Sequence, residues 1–72
     1  MQLTQRYTSG KDTYYQEITI GRDANHILVK KNDEVLYDGI ATHINDVDNV
    51  LTFKTPGGDE KRFVKYLTWC LA

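Results

Sequence analysis

Clusters of turn-forming residues divide this chain at intervals near ten residues, and that spacing limits the fold more than any other feature. They fall at 9–12 (SGKD), 21–25 (GRDAN), 32–33 (ND), 45–49 (NDVDN) and 56–59 (PGGD). Such residues supply positive φ or bond their own backbone. The stretches between them are short and rich in Thr, Tyr, Val, Ile and Phe, which favour strands. In Thr13 to Ile20, Tyr14, Ile18 and Ile20 share one face, and Gln16 interrupts it. His26 to Lys31 places Ile27 and Val29 on one side. Asn32-Asp33 between two such runs is a two-residue hairpin signal. Asp38-Gly39 reads as a second tight turn or as a bulge in a bent strand. Ile40, Thr42 and Ile44 alternate with Ala41, His43 and Asn45, and Leu51 and Phe53 share a face in the next run.

The two ends are less regular. Leu3 and Tyr7 stand at helical spacing, so 1–11 reads as a short helical turn or a loose arm. Residues 60–72 fit either a strand or a helix capped by Asp59; the residue types and the compact turn before them favour a strand through about Tyr66. The pattern predicts one small domain, 1–72, mainly β: an antiparallel sheet or an SH3-, Sm- or OB-like barrel of about five strands, with a short C-terminal helix as the variant. Val35-Leu36-Tyr37-Asp38 is similar to the ALYDY segment of SH3 domains, but the tandem tryptophans of their ligand groove are absent, so no family follows.

Size then bears on stability. A chain of 72 residues buries only ~60% of the surface its unfolded form exposes. Cys70 is the single cysteine, which excludes an intrachain disulfide staple. Stability must come from close packing or from another chain. No apolar run approaches the ~20 residues of a membrane helix, and no signal-type apolar core opens the sequence. These features set a cytoplasmic expectation.

Motifs for chemistry fail on inspection. Asp46-x-Asp48 resembles the start of a calcium loop, but Leu51 stands where glycine is required and Gly57 where glutamate is. His26 and His43 lack metal-ligand spacing, so both read as surface histidines. Gly57-Gly58-Asp59-Glu60-Lys61 is not a phosphate loop. Ser9 has no nucleophile-elbow context. Cys70 sits in an apolar stretch and reads as a small buried hydrophobe. No acid–base pair or cofactor motif remains, and a non-enzyme is expected.

Net charge is −1, but it is unevenly spread. Asn32 to Phe53 holds Asp33, Glu34, Asp38, Asp46 and Asp48 and no Lys or Arg. An acidic segment of this kind reads as a solvated face or as a docking patch for a basic partner. The favoured function is a protein-binding module, a stand-alone adaptor or a small inhibitor of a larger complex. Its partner is another protein or a second copy in a homodimer. Tyr15, Tyr37, Asp46, Asp48, Tyr66 and Trp69 are the candidate contacts, the aromatics as anchors and the acids for orientation. The alternative is a barrel that binds single-stranded nucleic acid through Lys30, Lys31, Lys61, Arg62 and Lys65 with neighbouring aromatics. Tyr14 and Tyr15 with Lys11 and Arg22 form a second aromatic and basic group.

Overall fold

The computed structural model describes residues 1–47, 50–64 and 70–71. The chain forms antiparallel strands: β1 (Gln2–Ser9), β2 (Asp12–Ile20), β3 (Asn25–Lys31), β4 (Glu34–Val47), β5 (Val50–Lys54), β6 (Glu60–Val64) and the two-residue β7 (Cys70–Leu71). Their order in the sheet is β6-β5-β4-β3-β2-β1-β7. Each strand from β1 to β6 thus pairs with its neighbour in sequence, the arrangement that short turns between strands produce. The sheet expectation holds. The barrel alternative does not, because the sheet is not closed. No helix occurs among the described residues, and none therefore is long and apolar enough to cross a membrane.

Two turns show how sequence sets register. Asn32 adopts φ 55°, a left-handed conformation that asparagine tolerates better than most residues. Its backbone N–H donates to the Thr13 carbonyl at 2.6 Å, and its side-chain oxygen accepts from the Thr13 N–H at 2.9 Å. Its Nδ2 donates to Asp12 Oδ1 at 3.0 Å, so the β3–β4 turn is tied to β2 as well. In the β5–β6 turn, Gly58 has φ 91° and donates to the Thr55 carbonyl, while the Asp59 N–H donates to Thr55 Oγ1.

Two expectations change, and a third holds as far as it is described. Residues 2–9 form a full strand, neither helical nor loose, with Gln5 opposite Gln16 and Tyr7 opposite Tyr14. Asp38-Gly39 is not a turn: β4 runs through it. The bulge lies earlier, where Lys30 pairs with Val35 but Val29 pairs with Tyr37, leaving Leu36 as the extra residue. Val35 and Tyr37 therefore face opposite sides although they are two residues apart. In the last segment, β6 pairs with β5 as the hairpin reading requires. The strand is described to Val64; residues 65–69, and with them the choice of structure there, lie outside the described residues.

The sheet has an inner and an outer face. Ile18, Ile27, Val29, Ala41, Leu51 and Phe53 form the buried core on the inner face, with Tyr37, Ile44 and Phe63 packed against it. Phe53 is fully buried between Tyr37 (ring centroids 4.9 Å) and Phe63 (5.9 Å). Gln5 and Gln16 are buried on the same face, where the sequence pattern expects apolar residues. His43 has φ 53° at the register shift between Thr42 and Asn45. That left-handed residue bends β4, and the sheet curls until Arg62 and Phe63 of β6 face Tyr7 and Tyr14 across a cavity of about 230 Å³.

Candidate functional site

Residues directly opposite in antiparallel strands share a face, so the registers assemble the outer face row by row. The first row is Arg6, Tyr15, Lys30 and Val35 on β1 to β4. The second is Thr4, Glu17, Leu28 and Asp38. The third is Gln2, Thr19, His26 and Ile40. Each residue stands about 4.8 Å from its neighbour across the strands.

This face carries unusual exposure for its residue types. Val35 is 52% and Ile40 43% exposed, and Leu28 and Tyr15 are half-buried by their neighbours. Tyr15, Leu28 and Lys30 line a shallow groove of about 470 Å³ with Arg6, and Asp33 closes it at the β3–β4 turn.

The polar groups are organised around Tyr15. Its hydroxyl donates to the Glu17 carboxylate at 2.5 Å, and the Arg6 guanidinium lies 5.3 Å from its ring centroid. The phenol titrates above its ordinary value: the hydrogen bond to Glu17 holds the proton most, burial and the Glu17 charge add to that, and Arg6 opposes it. Beside this group His26 Nε2 meets Asp38 Oδ1 at 2.7 Å, both well exposed. Among the described residues Arg6 and Lys30 form no ion pair. The face thus offers, among the described residues, two cations outside any ion pair in one row and, in the next, two carboxylates, one bonded to Tyr15 and one to His26.

The candidate contacts disperse over the molecule. Tyr15 belongs to the outer face. Tyr37 is on the inner face, packed on Phe53, with its hydroxyl donating to the Ile40 carbonyl. Asp46 is exposed near the end of β4. Asp48, Tyr66 and Trp69 lie outside the described residues. Of the cations proposed for nucleic acid, Lys30 is on the outer face and Lys31 on the inner side, 5.9 Å from the Tyr14 ring centroid and 4.0 Å from Asp12. Lys61 and Arg62 alternate along β6, and Lys65 lies outside the described residues. Tyr14 and Tyr15 likewise face opposite sides, so with Lys11 and Arg22 they form no single patch. Arg6, Leu28, Val35 and Ile40 were not expected in a site. Their signal is a register between four strands, which no local pattern contains.

Among the described residues no three His, Cys, Asp or Glu side chains are grouped to hold a metal ion. Both histidines are on the surface: His26 pairs with Asp38, and His43 lies beside Thr42 Oγ1 at the bend. The class defined so far is an open, curled, antiparallel β-sheet with an apolar and charged outer face. Comparison with protein-family models, with curated proteins and with solved structures finds no match to this chain.

Proposed function

We propose that the protein is a non-enzymatic protein-binding module and that the outer face of β1–β4 is its docking surface. One observation carries this reading: Val35 and Ile40 are exposed on the same face of one strand, flanked by Leu28 and Tyr15. Apolar side chains grouped and rimmed by charge mark interaction sites more often than scattered ones do. Tyr15 is a rigid anchor, already oriented by Glu17 and Arg6, so little side-chain freedom is lost when a partner covers it. A stand-alone adaptor or a small inhibitor both act this way, by occupying a surface on a larger protein.

Nucleic acid is the weaker reading, because the cations named for it alternate between faces. A photo-crosslinking amino acid at Val35 or Ile40 of the full chain tests the assignment against the same group at Lys54, exposed on β5. Discrete protein adducts from Val35 and Ile40 alone are expected. Adducts of equal yield from Lys54, or adducts to nucleic acid that vanish as salt rises, overturn it.

A further inference from the structure

We infer that the partner of the outer face is a second copy of this chain, docked sheet on sheet about a two-fold axis. This rests on the reading of that face as a docking surface and names its occupant. Arg6 and Lys30 occupy the first row on β1 and β3, and Glu17 and Asp38 the second on β2 and β4. Each like-charged pair is two strands apart, about 10 Å. The three rows carry balanced charge with His26 neutral, so a strongly acidic or basic partner gains little there. A copy of the same face is complementary to it.

The symmetry is fixed by that pattern. An isologous interface places the same patch on both sides of a two-fold axis. An axis lying between the two sheets, parallel to the rows and midway between the first and second, sets the first row of each copy over the second row of the other. Arg6 and Lys30 then face the row that holds Glu17 and Asp38. Each cation is offset from an anion by one strand, about 4.8 Å, within reach of a long side chain whose stem covers apolar surface. The opposite choice, an axis along the strands, sets the basic row against itself.

Area sets the strength. Four strands of about 4.8 Å spacing and a nine-residue β2 give a face of roughly 19 Å by 30 Å, or about 600 Å² per copy. Two copies bury roughly 1,200 Å², the lower edge of a specific interface. Interfaces at that edge are weak and transient, so association is expected at a dissociation constant on the order of 100 µM.

Sedimentation equilibrium of the full chain from ~10 µM to ~1 mM spans that constant on both sides. The apparent mass should climb from 8.3 kDa toward twice that value. Val35→Asp should weaken association at least ~10-fold, since it removes an apolar contact and sets a second carboxylate over the other copy's Asp38. Two charge-reversed chains, Arg6→Glu/Lys30→Glu and Glu17→Lys/Asp38→Lys, should each stay monomeric and should associate when mixed, with melting curves confirming that each folds. A wild-type mass of 8.3 kDa at the highest concentration overturns self-association. Reversed chains that self-associate as the wild type does, or that fail to pair when mixed, overturn the row-on-row arrangement. If the chain stays monomeric while the crosslinker at Val35 still gives adducts to a different protein, the second copy is refuted and the docking face stands. If both are absent, the face itself is refuted.

Discussion

Replacing Phe53 by alanine tests whether the curl of the sheet is what holds the domain together. Phe53 is fully buried on β5, between Tyr37 of β4 and Phe63 of β6, in a core that also takes Ile18, Ile27 and Val29 from β2 and β3. Burying an aromatic side chain removes roughly 150–250 Å² from water, which at ~25 cal/mol per Å² is about 4–6 kcal/mol. Measured Phe→Ala losses in cores run at about 3–5 kcal/mol. A 72-residue domain has a total of roughly 4–11 kcal/mol at ordinary per-residue stability. Phe53→Ala should thus remove about a quarter or more of it and lower the melting temperature by at least ~12 °C. Phe53→Leu, which keeps most of the volume, should cost about 1–2 kcal/mol. Urea unfolding followed by far-ultraviolet circular dichroism gives both numbers, and an unchanged slope would show that the same surface unfolds. A Phe53→Ala stability within about 0.5 kcal/mol of wild type, the range of a surface substitution, would mean that β5 is not packed over the inner face.

Four further outcomes follow. Asn32→Ala should cost about 2 kcal/mol, from the lost bond to the Thr13 N–H and the left-handed backbone, and Asn32→Gly about half that; equal losses would deny the backbone contribution. Gly21→Ala should destabilise by more than ~1 kcal/mol, because the added Cβ would meet the Ala24 carbonyl oxygen at 2.5 Å; an unchanged melting curve would contradict that contact. Tyr37→Phe deletes the bond to the Ile40 carbonyl and should cost about 0.5–1.5 kcal/mol while leaving self-association intact, since Tyr37 is on the inner face. Ultraviolet titration should find Tyr15 ionising above the ordinary value of 10.0. A raised folded pKa means stability is full below 10.0 and falls as pH climbs from there toward the folded value; Glu17→Gln should bring the transition back down, and a titration that ignores this change would sever the proposed link.

The strands and turns were legible where a local signal was complete. Ile27 and Val29 alternate cleanly, Asn32 supplies both a left-handed backbone and an acceptor, and 56–59 carries proline and glycines at the positions a tight turn uses. β1 was hidden because its inward row is Leu3, Gln5 and Tyr7. A glutamine buried opposite another glutamine breaks the apolar alternation that marks a strand. Tyr37 reads as a surface anchor in the sequence because its side depends on the extra residue at Leu36; without that bulge it would share the face of Val35. The outer site was mostly illegible for a different reason. Arg6, Tyr15, Lys30 and Val35 are scattered through thirty positions of sequence and become neighbours only through three registers. Only Tyr15 and Lys30 are visible in the sequence, the first as one more tyrosine in a tyrosine-rich chain and the second as one of several cations assigned to nucleic acid.

The proposed dimer stands or falls with the outer face of β1–β4. Methyl and aromatic chemical shifts recorded while the full chain is diluted report on that face directly. Tyr15, Leu28, Val35 and Ile40 should move together along one dilution curve, while Ile27 and Leu51, sealed in the core, stay fixed. Shifts independent of concentration, or changes centred on the exposed ends of β5 and β6, would contradict it.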